Sequence, residues 1–272
     1  MTTLLEAGGP PAAHPSVRAS MRRLQTGSGA GLGIGAIIAV WVILAAREPE
    51  LIMPSPAETF AAIGDLAADG VLGSALVTTL GRAVIGVALA LAIGALWGAL
   101  NGVSRWALSI SQPALAASLS VPPIVLAVLG LTWFGPGAAT TRLVIIVVAT
   151  PLIVIAVQEA VRNIDTDLLE MGAAFGLSRW LSARHIVIPA ITSPVLAAAS
   201  VTVGQALRVA VMAELLSATD GVGATIARAR ANLETADVFA WTLVLIAVVL
   251  VIELAILRPF TNHLLRWRAT TS

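Results

Sequence analysis

The sequence contains no cysteine and no lysine, and few of its residues carry charge. Without cysteine there can be no disulfide, thiolate nucleophile or cysteine-ligated metal, and three scattered histidines (His14, His185 and His263) do not suggest a histidine-rich metal site. Charged residues make up 11% of the 272 residues, against about 25% in a soluble domain. The net charge of +1 gives no field that would attract nucleic acid. These scarcities, together with 58% hydrophobic residues, exclude a soluble enzyme, a nucleic-acid-binding protein and a disordered scaffold.

Uncharged stretches long enough to cross a bilayer recur along the chain. A spanning helix needs about 20 mostly apolar residues, and the intervals between charged residues supply them repeatedly. The interval 106–141 is too long for one span, so we place a single span at 113–134 and a loop after it. The sequence therefore predicts an all-α, polytopic membrane bundle of about six transmembrane helices, centred on 24–46, 83–104, 113–134, 143–158, 185–207 and 238–252.

The distribution of arginine predicts the orientation of these spans. Cytosolic loops of membrane proteins carry an excess of basic residues. With the N-terminus in the cytosol, ten arginines lie inside and four outside, so both termini are predicted to be cytosolic in a multi-pass protein of the cell membrane. Residues 1–30, rich in Gly, Pro and Ala, are predicted to be a disordered cytosolic tail, and 31–268 to form the transmembrane domain.

Two local patterns predict structure at the outer surface and inside the bundle. Ser55-Pro56-Ala57-Glu58 combines a capping serine, a proline at the first helical position and a glutamate that reaches back to the cap. It predicts a helix over 56–68 that is too polar to span. Small residues at intervals of four form a smooth stripe that predicts close helix packing: Gly86, Ala90, Gly94, Gly98 and Gly102.

Charged residues inside the fifth span are candidates for function, because a charge in a bilayer is expensive. Arg208 is interpreted either as a positive site for an anionic substrate on the translocation path or as a structural ion pair. Glu214, near the outer end, is interpreted either as a contact at a gate or with a binding protein, or as a structural contact. Six positions separate the two residues, so they point to different helix faces and are not expected to pair.

Prolines and aromatic residues add further candidates for the translocation path. Pro122-Pro123 lies inside the third predicted span, where a broken helix survives if protein or water satisfies the freed carbonyl groups. A purely structural kink is the alternative. Trp133 lies near the outer interface and is interpreted either as part of an aromatic belt or as part of a pore gate.

The longest cytosolic stretch, 162–189, has the pattern of two short helices joined by a tight turn. Asp165 or Thr166 is predicted to cap the first helix, and Gly176 to end it in a left-handed conformation. Ser178 is predicted to start the second helix. The stretch therefore predicts a helix, a turn and a helix at the inner face of the membrane.

In this stretch the sequence resembles the integral-membrane permease subunits of binding-protein-dependent ABC importers. Their signature has Glu-Ala-Ala, a glycine six residues after the glutamate, and Ile and Pro at sixteen and nineteen. The chain matches these spacings with Glu170, Gly176, Ile186 and Pro189. It departs from the signature at Met171 and Gly172, which replace Ala-Ala. The resemblance extends over about 35–267.

The resemblance implies a type I ABC importer permease fold in which 162–189 carries the coupling helix that docks on a separate ATPase subunit. ATP and Mg would be bound by that ATPase, and this lysine-free chain has no P-loop. No cofactor and no enzymatic activity are therefore expected of the chain itself. The residues implied in docking are Asp167, Glu170, Gly172, Ala173, Ala174, Gly176, Ser178, Arg179 and Trp180.

Several short apolar segments resemble the nitrate, sulfonate and taurine branch of these permeases: 51–56, 120–123 with 133–135, and 213–216 with 221–223. This branch implies a homodimer of permeases, fed with a small anionic solute by an extracytoplasmic solute-binding protein. An ion-coupled secondary transporter is the alternative function. It favours carboxylates at mid-membrane and leaves the 162–189 stretch unexplained.

Overall fold

The computed structural model describes residues 31–257 and Pro259, and within these residues the chain is helical and contains no β-strand. The predicted tail, 1–30, and the end of the predicted domain lie outside the described residues. The helices are α1 (Gly31–Ala45), α2 (Pro56–Ala68), α3 (Val71–Val103), α4 (Arg105–Ser120), α5 (Pro123–Phe134), α6 (Ala138–Arg162), α7 (Thr166–Ala174), α8 (Arg179–Ser182), α9 (Ile188–Ser217), α10 (Val222–Ala231) and α11 (Thr235–Val251). Two π-helical segments, Ala183–Val187 and Ile252–Leu257, precede α9 and follow α11. The predicted all-α membrane bundle is confirmed.

Four of these helices are long and apolar enough to cross a bilayer: α3, α6, α9 from Pro194 onward, and α11 with the first residues of its π segment. Together, α4 and α5 make a fifth candidate that is bent by 97°. The helix α1 is apolar but shorter. The described residues thus account for four or five of the predicted spans, and the count of six stays a prediction.

The second span begins earlier than the prediction of 83–104. The helix α3 runs over 33 residues and carries Arg82 in its interior. Only 7% of Arg82 is exposed, because two carboxylates from outside α3 pair with it. A transmembrane span that is predicted from the intervals between charged residues comes out too short wherever the protein neutralises a charge inside that span.

The third span also differs from the single stretch predicted at 113–134. It consists of α4, which begins at Arg105, and α5, which begins at Pro123. Val121 and Pro122 between them are extended, with ψ of 123° and 134°, because a residue that precedes proline is driven out of the helical region. The double proline therefore breaks this span at a sharp angle.

The core is formed where α3 packs against α6 along the glycine stripe. A Cβ atom at Gly94 would lie 2.8 Å from Cβ of Ile153, and one at Gly98 would lie 2.6 Å from the carbonyl oxygen of Val154. Ala90, in the same stripe, has no exposed surface. The missing side chains let the two backbones approach closely, which confirms the predicted packing role of the stripe.

The helix α2 begins at the cap predicted from the sequence and lies beside α1 and α11. The hydroxyl of Ser55 accepts a hydrogen bond from the backbone N–H of Glu58 (3.2 Å), and the Glu58 carboxylate accepts one from the N–H of Ser55 (2.7 Å). The indole N–H of Trp41 donates to the carbonyl of Pro54 (3.0 Å), and its ring stacks on Phe239 with centroids 6.1 Å apart. The helix α2 is thereby held at one end of the bundle.

The contact between α3 and α6 predicts opposite effects for two substitutions in the same helix. Gly98→Ala should destabilise the fold by about 1–3 kcal/mol, because its Cβ overpacks the backbone of α6. Gly81→Ala is the matched control, since nothing lies within 4 Å of a Cβ at that position, and it should be neutral or gain up to about 1 kcal/mol from helix propensity. Thermal unfolding of the two variants in detergent micelles measures the difference. Equal stability of the variants would contradict the close approach.

Candidate functional site

The segment between α6 and α9 folds as the predicted pair of short helices; we call residues 165–188 the elbow. Its first helix, α7, begins at Asp165, whose carboxylate accepts a hydrogen bond from the N–H of Asp167 (2.9 Å). The second, α8, begins after Ser178, whose hydroxyl accepts one from the N–H of Leu181 (3.3 Å). The side chains of these cap residues satisfy backbone donors that would otherwise lack partners at the helix ends.

The turn of the elbow depends on Gly176. This residue has a φ of +74°, in the left-handed region. Its N–H donates to the carbonyl of Ala173, and the N–H of Leu177 donates to the carbonyl of Gly172, both at 3.0 Å. These two bonds are the Schellman pattern that ends a helix. Gly172 is buried beneath the turn, where a Cβ would lie 3.1 Å from the Ile186 side chain.

Large apolar side chains of the elbow face solvent. Phe175 is 81% exposed, Trp180 64% and Met171 52%. The guanidinium carbon of Arg184 lies 5.2 Å from the centroid of the Trp180 ring, a cation–π contact that limits the motion of the indole. An exposed apolar patch on a segment outside the long apolar spans is typical of a surface that contacts another protein or the membrane.

The remaining predicted docking residues lie on the same elbow. The side chain of Arg179 lies outside the described part, although the residue begins α8. Phe175 and Met171 were not predicted as docking residues from the sequence. The signal for both was a bulky apolar residue beside the turn of a polar loop. The exposed members of the predicted set are Asp167, Glu170, Ala173, Ala174, Gly176, Ser178 and Trp180.

A second polar site lies at the opposite end of α9, where Glu214 is completely buried. One carboxylate oxygen accepts a hydrogen bond from the Arg82 guanidinium at 2.8 Å, and the other accepts one from the Thr79 hydroxyl at 2.7 Å. The guanidinium also pairs with the carboxylate of Asp220, whose side chain is 60% exposed. Of the two interpretations that the sequence left open for Glu214, this geometry favours the structural contact.

Two glycines bring the backbone close to the Glu214 carboxylate: Gly221 just before α10 and Gly223 in its first turn. The N–H of Gly223 donates to the carboxylate at 3.1 Å. Gly221 has a φ of +95°, and a Cβ there would lie 2.7 Å from the carboxylate oxygens. Side chains at these positions would push the loop away from the charge, which explains why glycines stand at 221 and 223.

Arg208 lies in different surroundings from Glu214. Its side chain is exposed on α9 and makes no hydrogen bond or ion pair with the residues that the structure describes. It lines a cavity between α9 and α11. Pro122 and Pro123 form the break between α4 and α5, and Trp133, near the end of α5, is 66% exposed.

Comparison with known proteins agrees with the helical arrangement. The model of a family described as binding-protein-dependent transport system inner membrane component matches residues 86–266. The chain is 30% identical to the riboflavin transport system permease protein RibX of Chloroflexus aurantiacus, over 82% of each protein. It is 27% identical to a Bacillus subtilis protein named as an aliphatic sulfonates transport permease, SsuC, over 85% of this chain and 84% of that protein.

Among solved structures, the chain resembles one from the inward-facing methionine ABC transporter MetNI. The TM-score is 0.63, and the match covers 73% of this chain and 98% of the other. Because the two sequences are only 19% identical, this likeness concerns the fold.

The two carboxylates that pair with Arg82 test how much the burial of an ion pair contributes to the stability of the fold. Glu214→Gln should cost about 3 kcal/mol of stability, at the low end of the range for a broken buried pair because Asp220 still pairs with the guanidinium. Asp220→Asn removes the same charge from the exposed side and should cost less than about 1 kcal/mol. Thermal unfolding of the purified chain in detergent compares the two variants. A larger loss for Asp220→Asn would contradict the assignment of Glu214 as the central partner.

Proposed function

The chain belongs to the family of binding-protein-dependent transport system inner membrane components, and we propose that it forms the path by which an ATP-driven importer moves a small organic anion into the cell. It is a multi-pass permease subunit of an ABC importer, and hydrolysis of ATP takes place on a separate subunit. The observation that carries the proposal is the elbow, a capped and sharply turned helix pair with exposed aromatic residues.

The elbow has the properties that mechanical coupling to an ATPase requires. The Schellman turn at Gly176 makes it a short, stiff unit, and Phe175 and Trp180 offer apolar surface that can be buried against a partner. Its second helix continues through the π segment into α9. Movement of an ATPase that grips the elbow would therefore be passed directly to a membrane-spanning helix.

Further partners follow from this role. We infer that the ATPase binds ATP and Mg, that a second copy of the permease completes the path, and that an extracytoplasmic solute-binding protein delivers the solute. The orientation that fits these partners places the elbow and both termini on the cytosolic side, as the distribution of arginine predicts.

The charge of Arg208 supports an anionic solute. A guanidinium inside a span that pairs with none of the described residues would stabilise an anion that passes it. The name of the Bacillus subtilis relative specifies aliphatic sulfonates, which are anions of this kind. Glu214, by contrast, is held in an ion pair, so this carboxylate is not available as the ion-binding group of an ion-coupled secondary transporter.

Substitution of Gly176 should uncouple ATP hydrolysis from the transport of the solute. Gly176→Val places a β-branched residue at a φ of +74°, which costs roughly 1–2 kcal/mol or more and distorts the turn. In proteoliposomes that contain the permease, its ATPase and its binding protein, the number of ATP molecules hydrolysed per solute imported should rise, by up to about tenfold for 1.4 kcal/mol of lost coupling.

Gly176→Asn is the matched control, because asparagine tolerates the left-handed region. It should keep the ratio of hydrolysis to import close to that of the original chain. The same ratio in Gly176→Val and in the original chain would contradict the role of the elbow in coupling.

A further inference from the structure

The helix α5 packs on the bundle along one face and leaves the opposite face uncovered. Its buried residues are Ala127 and Gly130, and a Cβ at Gly130 would lie 2.9 Å from the Thr140 side chain of α6. The opposite face carries a continuous strip of exposed residues, which we call the α5 strip: Ile124, Val125, Val128, Leu129, Thr132 and Trp133. All of these except Thr132 are apolar. Such a strip is removed from water either by lipid or by another protein.

The exposed face of α3 has the properties of a surface that lipid can cover. From Val84 to Leu100 its exposed side chains are all apolar. The helix is continuous over 33 residues, so its backbone groups pair with one another. Nothing on that face of α3 needs a polar partner. The α5 strip differs from it, because a break in the backbone and exposed polar side chains of α4 adjoin the strip.

The break before α5 removes the helical partners of two backbone carbonyl groups. In a continuous helix, residues 122 and 123 would donate to the carbonyl groups of Ser118 and Leu119, but proline has no N–H. Next to the break, Ile124 lines a cavity of about 430 Å³ together with Met212, which lies more than one helical turn before the end of α9. The break therefore lies within the depth of the bundle. Non-helical backbone at membrane depth requires protein or water around it, not lipid.

Exposed polar side chains of α4 lie on one face of that helix and lead to the break. Ser109, Gln112 and Ser120 are exposed, and the helical period places them opposite the buried Ser111 and Leu115. The hydroxyl groups of the two exposed serines donate to carbonyl groups of the same helix. The Gln112 amide makes no hydrogen bond with the residues that the structure describes. Because an unpaired amide is costly in hydrocarbon, Gln112 faces water or another protein.

Building on the proposed pairing of two permease copies, we propose that the α5 strip is the surface on which the second copy docks. The strip contains no charged residue, so it can meet an identical strip without repulsion. The two strips meet across a twofold axis along the membrane normal, which keeps both elbows on the same side. Their apolar residues form a dry contact. The backbone breaks and the Gln112 amides of the two copies face a water-filled space between them, so that the path is incomplete in a single copy.

Cross-linking of single cysteines in native membranes tests this surface, because the chain has no cysteine of its own. Residues near a twofold axis lie close to the same residues of the other copy. Val128→Cys or Leu129→Cys, at the centre of the strip, should therefore give a disulfide-linked dimer on mild oxidation. The matched control is Val84→Cys, at an exposed valine of α3. A disulfide needs Cα atoms within about 7 Å, so the better strip position should exceed the control in dimer yield at least about fivefold.

The equilibrium between dimer and monomer gives an independent measurement on the purified full chain. Val128→Trp should raise the dissociation constant of the dimer at least about fivefold, because it overpacks a dry contact in both copies. Val84→Trp makes the same change on α3 and should leave the dissociation constant unchanged. Native mass spectrometry over a dilution series in detergent measures both variants.

The outcomes separate this surface from the wider proposal of an importer. Equal cross-linking yields at Val84→Cys and at both strip positions would assign the strip to lipid and overturn the docking surface, as would equal dissociation constants for the two tryptophan variants. Either result would leave the pairing of two copies intact if dimers still form. A chain that stays monomeric at every concentration would contradict both the pairing and this surface. Gly176→Val, which alters the elbow, should cross-link through Val128→Cys like the original chain, so a failure of coupling is distinguishable from a failure of docking.

Discussion

The fully buried carboxylate of Glu214 is the constraint around which one end of the bundle, at the far end of α9 from the elbow, is arranged. A charge without water must find a counter-ion and hydrogen-bond donors within the protein. Arg82 and Thr79 of α3 supply two of these, and the backbone N–H of Gly223, in the first turn of α10, supplies another. One acid thus ties α3 to α9 and α10, although Arg82 and Glu214 are 132 residues apart. Leaving any of these partners unpaired would be costly, which stabilises this end of the bundle.

The helix α9 connects this end of the bundle to the elbow. It runs without interruption over 30 residues, which corresponds to about 45 Å, with the elbow joined to its start and Glu214 near its end. Arg208 lies between the two. A displacement of the elbow would therefore be carried along the same helix that holds the Arg208 guanidinium, while α3 and α10 contact the far end of that helix. In the proposed importer, this arrangement would carry ATP-driven motion to the surroundings of Arg208.

Features that depend on local chemistry were predictable from the sequence. The capping box at Ser55, the left-handed glycine at 176 and the glycine stripe of α3 are each specified by neighbouring residues, and the structure has all three. Features that depend on distant partners were not. The start of α3 was misplaced because Arg82 is neutralised by Glu214, 132 residues away. The double proline after α4 marked a break, but its angle of 97° and the exposure of Phe175 depend on tertiary packing that no local pattern reports.

A cytosolic ATPase can bind the elbow only if the elbow lies on the cytosolic side of the membrane. The chain has no cysteine, so single cysteines can be introduced without background: Phe175→Cys on the elbow and Phe60→Cys on α2, both at exposed phenylalanines. Labelling of sealed vesicles of known orientation with a membrane-impermeant maleimide measures the accessible side. The elbow cysteine should react only from the cytosolic side and the α2 cysteine only from the outer side. Labelling of Phe175→Cys from the outer side would contradict the proposal that the ATPase binds the elbow.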